Sequence, residues 1–411
     1  MKKQVLLILL SLSTLAGFSQ FAWTPIADYP HNCFWPQYFM IGNTLYISGG
    51  LSSLSPNVAT NELQAYTVQT NTWAQKASLP AGVNMYGGVA FALNGKGYIC
   101  HGEVPQAGGG YSYSSDLWEY DPSSDSWAAK ASYPGTLGYT AVSFSIGQYG
   151  YLGLGFRPYV DSFYRYDSQS DTWSPIAVYP GQARQGSSAF VINGIAYVGL
   201  GGYQNGGSFV NLPDFYKYDP GTGAWSAIAP YPDTARIDCQ AFTFGGKGYI
   251  VSGMASVTAD LTNRVWEYDP QNDSWRRINS FPAAFRSGMG CSNAGNTYAI
   301  VGLGADPAQN LLNHLWKTIK TDDIPEESPN VTKVWFNSDA VHIRLEKSAA
   351  ADYSFALYDL SGRKVMTAFL NKGENAFDLS LIQMSGGMYL YKITSSGDTA
   401  EKFEGKILVT R

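Results

Sequence analysis

The sequence predicts an all-β chain: six small antiparallel sheets set in a ring as a six-bladed β-propeller, followed by a small C-terminal β-sandwich. Three observations predict it. Tryptophans recur at Trp23, Trp73, Trp127, Trp173, Trp225 and Trp275, 46 to 54 residues apart, and one tryptophan per period near fifty marks a repeat architecture. The 44 glycines and 15% aromatic residues suit many short strands joined by tight turns. After residue 330 the period stops and seven short alternating runs follow, the pattern of a compact sandwich.

Each period holds four runs. The first ends in a turn, as in Ser188-Ala189-Phe190-Val191-Ile192-Asn193-Gly194, where Asn-Gly between apolar runs signals a hairpin. The second ends in glycines, as in Tyr46-Ile47-Ser48-Gly49-Gly50. A loop of variable length leads to the third, which carries tyrosine: Leu117-Trp118-Glu119-Tyr120-Asp121, Phe163-Tyr164-Arg165-Tyr166-Asp167 and Val265-Trp266-Glu267-Tyr268-Asp269. A polar turn follows, and the fourth run starts at the recurring tryptophan. A four-stranded sheet with two apolar faces cannot stand alone, and radial stacking buries both faces.

Third runs begin near Glu62, Asp116, Ser162, Asp214, Arg264 and His314, which counts six blades. The sixth, Leu315-Trp316-Lys317, has no tryptophan run after it, whereas Trp23 stands in a run with no unit before it. Residues 22–27 are therefore expected to complete the sixth blade and close the ring. The words of this repeat (paired Gly, Tyr-Asp, then Trp, with Pro and often Arg before the next unit) resemble the Kelch repeat over residues 21–320.

Residues 1–19 read as a signal peptide: Lys2 and Lys3, the apolar run Val5 to Leu15, then Gly17 and Ser19 before a cut ahead of Gln20. That run is too short to span a bilayer, and no later run approaches the ~20 apolar residues a transmembrane helix needs. The net charge of -5 is unclustered and gives no footprint for nucleic acid. Cys33, Cys100, Cys239 and Cys291 show no metal-like spacing and read as small buried residues. No cofactor is expected, and a monomer is.

Residues 321–330 read as a linker and residues 331–411 as the sandwich. The tail resembles the C-terminal sorting domain of the type IX secretion system through Leu357-Tyr358-Asp359-Leu360-Ser361-Gly362-Arg363, Gly387-Met388-Tyr389-Leu390-Tyr391-Lys392-Ile393, Lys402 and Lys406. Val334-Trp335-Phe336-Asn337 replaces the family's usual Tyr-Pro-Asn-Pro opening. The resemblance implies export across an outer membrane by that machinery, to the surface or the medium.

In a propeller the loops after the second and fourth strands share one face, and long variable loops on a rigid scaffold are where binding resides. Arg184, Arg236 and Arg286 each follow a proline by four residues, in consecutive blades, and Arg157 extends the arc. Convergent guanidinium groups would suit a carboxylate or sulfate, although Arg at this place also belongs to the Kelch pattern and bonds loop carbonyls. Trp35, Tyr86, Tyr111 and Tyr139, with Phe34, Tyr113, Phe156, Tyr159 and Tyr203, crowd the same face. Flat rings beside arginine are what a sugar-binding surface needs.

Catalytic options are thin. The four histidines, His31, His101, His314 and His342, are scattered. Copper oxidases among the Kelch folds imply several His and Tyr ligands. Bacterial Kelch mutarotases imply a base such as Glu103 acting on a sugar acid. The expectation is thus an exported, non-catalytic binding module for a glycan or another surface ligand. A carbohydrate-active enzyme using Glu103 and a protein-interaction scaffold are the alternatives. Asp233-Thr234-Ala235 and Asp398-Thr399-Ala400 resemble bacterial O-glycosylation sites.

Overall fold

A computed structural model describes residues 21–320 except 107–109, 137, 256–260, 279 and 294. Of the remainder it describes 331–336, 340–345, 353–359, 363–370, 376–380, 387–395 and 402–409. The signal-peptide and linker expectations, and Asp398-Thr399-Ala400, lie outside these residues. The chain divides into two compact units after Lys320. Among the described residues every regular element is a strand.

The first unit is a six-bladed propeller. Blades one to five are four-stranded antiparallel sheets, in sequence order from Gln37–Ile41, Val89–Leu93, Val142–Ile146, Ser188–Ile192 and Gln240–Phe244 outward to the tryptophan strands. The sixth runs Met289–Ser292, Ala299–Ala305, Leu311–Lys320 and then Phe21–Pro25, so the first described strand completes the last blade. Phe21 stands opposite Lys320, and Pro25 opposite Trp316. Phe21 is more deeply buried than Trp23 and packs against Phe242, Phe244 and Tyr249 of blade five.

Stacking between blades explains the sequence words. Phe39 lies flat on Tyr46 of its own blade, centroids 5.2 Å apart, and the pattern recurs in Phe91–Tyr98, Phe144–Tyr151, Phe190–Tyr197 and Phe242–Tyr249. The next blade must leave room for that ring. A Cβ on Gly97 would stand 2.0 Å from Phe39, so only glycine fits.

The recurring tryptophan is an inter-blade clamp. Each indole N–H donates to a carbonyl just past the outer strand of the preceding blade: Trp73 to Ala27, Trp127 to Ala77, Trp173 to Ala131, Trp225 to Ala177 and Trp275 to Ala229, at 2.7–3.0 Å. In four of these blades a left-handed turn residue (Asn71, Asp125, Asp171 or Asp273) accepts the N–H of the same alanine and a tyrosine hydroxyl of its own blade. Blade four has Gly223 there.

The second unit contains two antiparallel sheets. Val331–Phe336, Ala340–Leu345 and Ala376–Ser380 form one; Lys364–Leu370, Tyr353–Tyr358, Gly387–Ser395 and Lys402–Val409 form the other. Within the Asp-x-x-Gly-Arg motif, Asp359 accepts the Arg363 backbone N–H and Nε, both at 3.0 Å. Among the described residues no helix is long and apolar enough to cross a membrane.

Candidate functional site at the axial face

The loops entering each inner strand meet those leaving each second strand through one bridge per blade, for example Tyr86 with Glu103 and Tyr139 with Phe156. Both loop sets therefore lie on one face. At its centre stand Trp35, Gly87, Thr140, Gly186, Asp238 and Ser287, one from each blade, all with left-handed φ between 52° and 64°. Their backbones close a ring: each N–H donates to the carbonyl of the ring residue in the preceding blade, at 2.8–3.2 Å, and Trp35 completes the circle by donating to Ser287. These six residues share no side-chain chemistry. Their common property is backbone conformation, which explains why no sequence word announces them.

The ring surrounds a recess of about 120 Å³ whose lining includes Trp35, Tyr38, Thr140, Asp238, Gln240 and Ser287. Asp238 Oδ2 accepts the Ser287 hydroxyl at 2.8 Å. Burial pushes the Asp238 carboxyl above the usual range, opposed by the Ser287 bond, the Arg286 charge and the Trp35 indole that faces it.

Beside the recess, over blades one to three, lies an aromatic shelf. Trp35 stacks with Tyr86 at 6.0 Å and stands edge-on to Tyr139 at 6.1 Å. Tyr113 stacks on Tyr139 at 6.2 Å, Tyr111 stands edge-on to Tyr86, and Phe156 and Tyr159 continue the row towards Tyr203. Tyr111 is 49% exposed. The exposed Arg157 guanidinium lies over the Phe156 ring at 5.2 Å, beside the Tyr113 and Tyr139 phenols. Beneath them Glu103 is only 5% exposed. Its burial raises its pKa, opposed by the Tyr86 phenol and the Arg157 charge.

Of the residues expected from sequence, the structure brings together Trp35, Tyr86, Tyr111, Tyr139, Glu103 and Arg157. The other arginines do not form an arc with Arg157. Arg184 has no exposed surface and makes a two-pronged pair with Asp214 at 2.5 and 2.8 Å, and it also bonds the Gln182 and Leu200 carbonyls. Arg236, 2% exposed, reaches the Gly253 carbonyl at 3.4 Å. Arg286 is out of step by one residue. Pro180 and Pro232 precede their ring residues by six positions, Pro282 by five, so Phe285 takes the place that Arg184 and Arg236 hold. Arg286 instead lies over the Phe34 ring at 5.1 Å and bonds Gln309. The shared spacing from proline concealed this deletion. Asp238 and Ser287 were missed because nothing in the local sequence distinguishes them.

His101 is buried, and its pKa falls to about 4 because burial disfavours the charged ring; it faces Tyr133. His31 pairs with Glu62, and His314 with Asp28. Among the described residues no group of three His, Cys, Asp or Glu is placed to hold a metal. The four cysteines are unpaired.

Residues 337–409 match the family described as the secretion system C-terminal sorting domain. The chain is thus an exported protein handled by the type IX machinery. Among solved structures, the one titled "Structure of YjhT" is similar over 72% of this chain and 98% of that one, with TM-score 0.63 and 13% identity. That likeness shows the propeller fold. No curated protein matches the chain.

Proposed function

We propose that the exported chain is a Kelch-type binding module that carries a non-catalytic glycan site on the aromatic shelf of blades one to three. The observation that supports this reading is the row of partly exposed rings (Trp35, Tyr111, Tyr113, Tyr139) with Arg157 at its edge. Such rings pack on the C–H face of a sugar while the guanidinium bonds hydroxyls at its rim. Glu103 sits under the phenols and holds them rather than facing a ligand. Arg184 and Arg236 brace the loops.

A glycan array probed with the full-length chain tests the reading. Binding to neutral oligosaccharides is expected, weakened at least tenfold by Tyr139→Ala and by Arg157→Ala. No ligand on the array, or binding indifferent to both substitutions, would overturn it. The raised pKa of Glu103 beside Arg157 favours a second reading, an enzyme with Glu103 as acid or base. Turnover of a bound sugar that is abolished by Glu103→Gln would establish that reading in place of the first.

A further inference from the structure

The axial recess adjoins the shelf, and Trp35 belongs to both. The recess is small and open to solvent: water occupies about 30 Å³ in the liquid, so about 120 Å³ holds roughly four waters, room enough for one exocyclic arm. Its chemistry selects what enters. Asp238 faces the recess with Oδ2 taken by Ser287, while Oδ1 stands over Gly186. A Cβ at Gly186 would lie 2.8 Å from Oδ1, so the glycine leaves room for the carboxyl. Thr140 adds a hydroxyl, Tyr38 and Gln240 also line the recess, and the described lining contains no Lys or Arg. An anionic arm would meet the Asp238 carboxyl, although the Arg286 charge reaches that carboxyl from outside the lining.

We propose that this recess is a subsite for a single neutral hydroxylated arm, such as a hydroxymethyl group, of the sugar whose ring lies on the shelf. It rests on the glycan reading above and adds to it that the protein recognises one exocyclic group of the bound sugar. Asp238 accepts the hydrogen bond of that arm's hydroxyl.

The test is ligand-observed NMR on the full-length chain with methyl β-galactoside, methyl β-glucoside and the 6-deoxy counterpart of each. The hydroxymethyl member of at least one pair is expected to bind roughly three- to tenfold tighter, the worth of one or two neutral hydrogen bonds. Asp238→Asn, which keeps a donor and an acceptor, should preserve that ratio. Asp238→Leu should bring it to one. Equal binding within both pairs, or a preserved ratio in Asp238→Leu, would overturn the subsite while leaving the shelf intact. Binding of neither member of any pair would overturn the shelf reading as well. If Asp238→Leu does not fold, the wild-type ratio decides.

Discussion

Trp23 faces Thr318 across an antiparallel ladder, joining the two ends of a ring built from the whole intervening chain. The contact holds blade six together, and its side chains reach into blade five: the Trp23 indole stands edge-on to Phe281 at 4.7 Å. Trp23→Ala removes this anchor and should cost roughly 3–5 kcal/mol, the range for aromatic-to-alanine changes in cores. Denaturant melts of the full chain check it. A variant with an unchanged midpoint would show that the closure carries little of the stability.

Blade four lacks half of its clamp, and that half can be supplied. Gly223 has the left-handed backbone of Asp125, Asp171 and Asp273, and a Cβ there would meet nothing within 4 Å. Gly223→Asp should bring a carboxylate to the Ala177 N–H and the Tyr218 hydroxyl, as its counterparts do in their blades. It also restricts the unfolded chain. A gain of about 1 kcal/mol is expected, read as a melting temperature about 2 °C higher. A lower melting temperature would mean that the loop tolerates only glycine.

Two carboxyls, Glu103 buried and Asp238 half-buried, predict how stability follows pH. Burial raises Asp238 and Glu103, so the folded chain binds their protons more tightly than the unfolded chain does. Each therefore opposes folding increasingly as pH rises from the ordinary carboxylate range through its raised value. Asp125, lowered by the Ala77 N–H and the Tyr120 hydroxyl, acts in reverse: its stabilisation is present above the ordinary range and lost as pH falls. Asp238→Asn should thus raise the melting temperature relative to wild type more at pH 7 than at pH 4. A difference independent of pH would contradict the burial argument.

Arg184 and Arg157 should separate stability from binding. Arg184→Met strands Asp214 and the Leu200 carbonyl and should cost on the order of 3 kcal/mol, with sugar affinity kept in the folded fraction. Arg157→Met is exposed and should leave the melting temperature within about 1 °C while weakening the sugar. Calorimetry with binding on the same samples distinguishes them, and an affinity loss in Arg184→Met equal to that in Arg157→Met would return Arg184 to the site.

The sequence by itself determined the ring of six, its closure by the Trp23 run and the strands of the tail. These follow from local periodicity and turn chemistry, and the repeats restate them: in five blades the tryptophan bonds the preceding carbonyl, and the inner-strand phenylalanine needs a small residue opposite. It also assembled the shelf, because its rings cluster in the variable loops of neighbouring blades. Only the tertiary structure decided which arginines serve the scaffold, since a one-residue deletion before Ser287 is invisible to spacing counted from proline. Only it placed Asp238 at the axis beside Trp35. Residues from six segments about fifty positions apart converge there through backbone geometry, and side-chain identity carries no record of such a meeting.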